Sequence, residues 1–127
     1  MMYKAEVTHI RDLAFKVKAG ESELAVEAKG KGFTPLDALL AALGSCVGVY
    51  IRKYAEGKPE LNDFKVNVSA ELSKEPPLCF RQILVEIDLK PCVIDERRQK
   101  ALLEFLKNCP VHNTLKVNPA IEMKLIC

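Results

Sequence analysis

Residues 34–51 read TPLDALLAALGSCVGVYI, and from Leu36 to Ile51 only Asp37 carries a charge. Thr34 suits an N-cap, Pro35 the first helical position, and Asp37 falls where a capping box closes, so the stretch predicts a helix. It should run to about Glu56 and stop at Gly57, with Pro59 beyond. A helix apolar on nearly every face must be covered on every side. One sheet of a small domain does not achieve that, so a second subunit is expected over the remaining face. Ala41, Gly44, Ser45 and Gly48 would then allow close helix–helix approach. The uncharged run Ala38–Ile51 is shorter than the roughly 20 residues that span a bilayer. Asp37, Arg52 and Lys53 bracket it, so a buried core helix is expected rather than a membrane span.

On either side of this helix the chain alternates with period two, the mark of half-buried antiparallel strands. Before it, the alternating sets are Tyr3, Ala5, Val7; Leu13, Phe15, Val17; and Leu24, Val26, Ala28, with turns at His9 to Asp12 and at Gly20-Glu21-Ser22. After it come Phe64, Val66, Val68, Ala70, Leu72 and then Ile83, Val85, Ile87, Leu89, joined through Lys74 to Leu78 with its Pro76-Pro77 pair. A second helix is expected from about Asp95 to Asn108, its first turn acidic and its apolar stripe formed by Ala101, Leu102, Phe105, Leu106 and Cys109. Pro110 disfavours further helix there. A last strand is expected through Ile121, Met123 and Leu125, ending at Cys127. No repeat or linker interrupts the pattern, and a chain of 127 residues is expected to form one domain, residues 1–127.

Composition excludes several classes of function. Nineteen basic and 17 acidic residues are interspersed to a net charge of +2, which leaves no electrostatic footprint for nucleic acid or membrane. There is no Trp to build a stacking platform, and no GXXG loop. The five cysteines, at 46, 79, 92, 109 and 127, form no C-x-x-C pair, and no signal segment precedes them. A secreted disulfide scaffold would show an even count at denser spacing; a reducing cytoplasm is expected.

Cys79, Cys92 and Cys127 have nothing chemical near them in sequence, so packing is their expected role. Cys46 lies within the first helix and Cys109 where the second stops. Cys46 is too deep in its helix for the N-terminal dipole to act on it, so a lowered pKa would need a cation brought by the fold. Arg11, at the first turn, is the best candidate. Arg52 and Lys53 lie about 240° and 340° round the helix from Cys46 and one to two turns along it. His112 raises a Cys-His dyad with Cys109, which lacks an orienting third group. It also raises a metal site with Cys46 and Cys109, which lacks the closely paired ligands of zinc sites. No metal is expected.

Two segments carry a resemblance. The stretch from Thr34 to Cys46 resembles the region around the first active cysteine of the OsmC/Ohr family (osmotically inducible and organic hydroperoxide resistance proteins). Cys109-Pro110-Val111-His112-Asn113-Thr114-Leu115 is similar to that family's second cysteine motif. The resemblance implies an α+β fold, with antiparallel sheets packed around central long helices in an intertwined cytoplasmic homodimer whose active sites lie at the subunit interface. It implies a thiol-dependent peroxidase acting on organic hydroperoxides. Cys46 would attack as thiolate, and Cys109 would condense with the resulting sulfenic acid to a disulfide. A dithiol reductant, lipoyl-type in the best-known branch, would restore both thiols, with no cofactor. Family peroxidases place Glu directly after the helix-opening Pro, where it holds an N-terminal Arg against the reactive cysteine. Here Leu36 stands in that place and Asp37 follows, about 180° round an ideal helix from Cys46 and roughly 13–14 Å along it. Arg11 matches by region. The sequence therefore resembles a divergent branch, and the alternative it carries is a non-enzymatic dimer of the same fold that binds a small molecule or senses redox state.

Overall fold

Strong local signals, a capped apolar helix flanked by alternating strands, produce the elements of the chain. A computed structural model describes residues 1–30, 32–56, 58, 61, 63–89, 92 and 94–127. In order, the elements are β1 (Glu6–Arg11), β2 (Ala14–Ala19), β3 (Ser22–Glu27), α1 (Pro35–Tyr54), β4 (Lys65–Leu72), β5 (Phe80–Asp88), α2 (Glu96–Phe105) and α3 (Pro110–Val117). A single 3₁₀ turn, Leu106–Asn108, follows α2. The fold is α+β with antiparallel sheets. The chain divides into two compact units, Met1–Ala41 and Ala42–Cys127, with the division falling within α1.

In the first unit β1, β2 and β3 form an antiparallel sheet in sequential order. Val7, Val17 and Leu24 stand opposite one another, as do His9, Phe15 and Val26, so the expected alternation fixes one face. The first strand differs from expectation at both ends. It starts at Glu6 and continues through His9 to Arg11, with a register shift between those two residues. A hydrogen bond of 2.9 Å between His9 Nε2 and the Asp12 carbonyl ties the strand end to the turn, where Asp12 adopts a φ of 42°. The next turn needs a residue at positive φ to match the strand twist, and Gly20 supplies it at 60°. The capping box forms as expected: Thr34 donates its N–H to Asp37 Oδ2 at 3.0 Å, and Asp37 donates its N–H to Thr34 Oγ1 at 3.1 Å.

In the second unit β4 and β5 pair with Val66 opposite Ile87, Val68 opposite Val85 and Ala70 opposite Ile83. The half-buried Val66, Val68, Ile83, Val85 and Ile87 pack against a core of Leu43, Val47 and Ile51 from α1 with Leu102, Leu106 and Cys109. Ser73 Oγ accepts the Cys79 N–H across the loop that joins the two strands. Asp95 caps α2 by accepting the Arg98 N–H at 2.9 Å.

Four expectations are corrected here. Gly44 and Gly48 do not await another helix: a Cβ on Gly44 would lie 2.9 Å from Val68 Cγ2, and one on Gly48 would lie 3.9 Å from the Phe64 ring, so both face the sheet of their own unit. Pro110 does not end helical structure but begins it, because a proline at the first helical position sacrifices no intrahelical hydrogen bond. The strand expected at Ile121, Met123 and Leu125 does not form; these residues are 81%, 90% and 94% exposed. An alternating segment becomes a strand only where an edge offers its backbone partners, and no described residue of this chain does so. Helix α1 ends at Tyr54, two residues short of Glu56, while Gly57 and Pro59 lie outside the described residues. At 20 residues α1 has the length and hydropathy that would suffice to cross a membrane, a test that the core helix of a soluble protein also passes. Its packing of Leu43, Val47 and Ile51 against the core is that of a core helix.

Candidate functional site

Helical spacing sets the geometry around Cys46. Leu43, Val47 and Ile51 bury one stripe of α1, and Cys46, Tyr50 and Tyr54 form the half-buried stripe beside it, each one turn beyond the last. On the facing segment Phe105 precedes Cys109 by about one turn. The Phe105 ring meets Tyr50 at 6.1 Å and Tyr54 at 5.6 Å between centroids, both tilted, within the range in which aromatic pairs attract. These contacts hold the end of α2 against α1. One turn further on, the same pairing sets half-buried Cys46 against the core that holds Cys109, so that the two thiols influence one another.

The two thiols differ in exposure and role. Cys46 is half-buried, and Cys109 is 0% exposed. Cys109 is also the N-cap of α3, its Sγ accepting the backbone N–H of His112 at 3.5 Å. Five influences act on its proton, two of them from Cys46. Burial pushes the pKa up most, and the hydrogen bond with Cys46 pushes it further; the N–H groups of His112 and Val111 pull the other way. Burial wins, so the Cys109 thiol sits above the ordinary range and keeps its proton at neutral pH.

Cys46 and Cys109, the residues expected to meet, are thus brought together within the second unit. Arg11 and Asp37 belong to the first. Arg11 closes β1 and is exposed. Asp37 is spent on the capping box, and the Thr34 N–H and hydroxyl hold its carboxyl below the usual carboxylate range. His112 contributes its backbone N–H, while its ring stands in an exposed position. Among the described residues no three His, Cys, Asp or Glu side chains converge as a metal would require. Of the other cysteines, Cys79 is half-buried, but Cys92 and Cys127 are exposed and so are not the packing residues expected. Cys127 ends an exposed tail, and Cys92 sits beside Gln99, whose Nε2 lies 3.5 Å from its Sγ.

Tyr50, Tyr54 and Phe105 were not among the expected site residues. Their signal was present as one-turn spacing, from Cys46 to Tyr50 to Tyr54 and from Phe105 to Cys109, but that spacing gains meaning only when the two segments meet. Two concave volumes, about 580 Å³ on the β4–β5 hairpin and about 370 Å³ between β5 and α2, include neither thiol.

A family model described as "OsmC-like protein" matches residues 28–124. Among solved structures, the chain is similar to an OsmC-like protein from Mycoplasma pneumoniae at 24% identity and a TM-score of 0.77, covering 91% of this chain and 88% of that one. It is similar to a hypothetical protein from Aquifex aeolicus VF5 at 21% identity and a TM-score of 0.71, covering 91% and 88%. It also resembles the organic hydroperoxide resistance protein OhrB of Bacillus subtilis at 15% identity and a TM-score of 0.59, covering 90% of each chain. No curated protein sequence matches. At these identities the structural likeness establishes the fold.

Proposed function

Because this chain belongs to the OsmC-like protein family, we propose that it is a thiol-dependent peroxidase that reduces organic hydroperoxides. The observation that carries the reading is the packing of half-buried Cys46 against the core that holds fully buried Cys109. Cys46 is the thiol of the two that solvent reaches, whereas Cys109 is fully buried, so attack falls to Cys46. The Cys46 sulfur bonds to the outer peroxide oxygen, the O–O bond breaks, and the alkoxide leaves as alcohol with the Cys46 proton. Cys109 sulfur then attacks the sulfenic acid, forming S–S and breaking S–O, and hydroxide departs with the Cys109 proton as water. A cytoplasmic dithiol returns both sulfurs to thiols by exchange. The chain is proposed to form a homodimer in which Arg11 of one copy assists Cys46 of the other, while Asp37 stays with Thr34.

One equivalent of cumene hydroperoxide should remove two titratable thiols per chain and yield a Cys46–Cys109 linkage on peptide mapping. Cys46→Ser should abolish turnover, and Cys109→Ser should leave a sulfenate that over-oxidises. Retention of all five thiols would sink the reading.

A second reading, a non-enzymatic dimer that binds a small molecule or senses redox state, draws on one observation. Leu36 occupies the position after Pro35, and the neighbouring Asp37 is committed to Thr34. Slow alkylation of Cys46 at neutral pH, together with absent turnover, would favour it.

A further inference from the structure

Helix α1 carries a cation of its own on the face of Cys46. Lys53 starts about two turns after Cys46, roughly 20° round the helix from it and about 10–11 Å further along the axis. Side chains on a helix lean toward its N-terminus, so a lysine at this position reaches back along the Cys46 face. Here it does so: Lys53 Nζ lies 4.7 Å from the centroid of the Tyr50 ring, inside the range in which an aromatic face attracts a cation. Tyr50 stands one turn after Cys46 on the same half-buried stripe, and its ring meets Phe105 of α2 at 6.1 Å. A ring fixed by the neighbouring helix thus draws the ammonium back toward Cys46. The other titratable groups around this thiol are placed differently. On α1, Asp37 lies about 180° and Arg52 about 240° round from Cys46. On the sheet side, Gly44 meets Val68 and Val66, which carry no charge. From the segment after α2 come the Cys109 thiol, which keeps its proton, and His112, whose ring is exposed. Arg11 is proposed to reach Cys46 only from a second copy.

We propose that Lys53 is the cation that favours the thiolate of Cys46, and that Tyr50 is the positioning residue that holds it there. The proposal rests on the reading that Cys46 is the attacking thiol, and deepens it, because attack needs a thiolate. Cys46, Tyr50 and Lys53 belong to one helix. Their order along one face is therefore the same whether or not a second copy covers α1. Lys53 is exposed, so water and salt screen its field and the effect is modest.

The test follows alkylation of Cys46 by iodoacetamide in the full chain, read from the Cys46 peptide by mass spectrometry so that the other thiols do not interfere. At low ionic strength, Lys53→Met should move the pH–rate profile up by about half a unit. That is a roughly threefold loss of thiolate, the Coulomb factor for a unit charge about 6–7 Å away in water. Lys53→Arg should keep the parent profile, as should Tyr50→Phe, which retains the ring. Tyr50→Leu should shift the profile in the same direction as Lys53→Met. The gap between the parent and Lys53→Met should close in 1 M salt, where screening acts beyond about 3 Å; a structural role for Lys53 predicts no such salt dependence. Coincident profiles at low salt overturn the proposal, as does a gap that salt leaves unchanged or a parent in which Cys46 does not react. Turnover of cumene hydroperoxide, measured on the same samples, keeps the two readings separate. A profile that depends on Lys53 without turnover defeats the peroxidase reading alone, and turnover with coincident profiles defeats this proposal alone.

Discussion

Cys109 is the residue on which the most influences converge. Its sulfur is buried, is influenced by a second thiol and receives backbone N–H groups from the start of a helix. Helix N-termini usually lower a thiol pKa, but here desolvation outweighs them and the direction is upward. The sign of the pH effect follows. A folded-state pKa above the unfolded value means that the native chain holds its proton longer, so stability is whole below about pH 8.5 and is lost as pH rises through the higher folded value. In urea unfolding, the stability gap between the parent and Cys109→Ala should therefore narrow between pH 8 and pH 11. A gap that stays constant would show that the Cys109 thiol titrates alike in both states. That Cys109 belongs to an apolar stripe was legible from its spacing with Leu102, Phe105 and Leu106. That its sulfur caps a helix was not, because a cap depends on the helix that follows it.

Among the elements, α1 shows how local signals and tertiary contacts divide the work. Thr34, Pro35 and Asp37 determine its start from within a single turn, and the expected capping box forms. The small residues along it were legible as small, but their neighbour was not. A glycine in an open helix costs about 1 kcal/mol relative to alanine, so both Gly44→Ala and Gly48→Ala gain helix propensity. At Gly44 the new methyl would meet Val68 Cγ2 at 2.9 Å, whereas at Gly48 it would meet Phe64 at an ordinary 3.9 Å. Overpacking costs about 1–3 kcal/mol. Gly48→Ala should thus stabilise the protein by about 0.5–1 kcal/mol and Gly44→Ala should destabilise it by about 1 kcal/mol. Equal shifts of one sign in denaturant midpoint would contradict the packing of α1 on β4–β5. The strands were legible because period-two alternation survived pairing: Val66, Val68 and Ala70 meet Ile87, Val85 and Ile83. Pro110 misled because proline is compatible both with a helix that ends and with one that begins.

For the whole molecule, apolar exposure is the dominant fact. Val7, Ile10, Leu24 and Val49 are each about half exposed, and Ile121, Met123, Leu125 and Ile126 almost wholly so. Apolar side chains exposed this fully and in this number call for cover by another surface. The proposed homodimer answers this, and sedimentation equilibrium at micromolar concentration should give twice the 14.2 kDa chain mass. A single 14.2 kDa species would remove the assembly from the proposal. The sequence by itself determined the capped apolar helix, the paired alternating strands and the presence of two thiols on apolar segments, since those signals act within a turn or along a strand. Tertiary structure alone decided that Cys109 is fully buried and caps α3, that Gly44 faces Val68, that Tyr50 and Tyr54 meet Phe105, and that the tail from Asn118 finds no strand partner among the described residues. Burial and pairing are properties of two distant segments together, and no local pattern contains the second one.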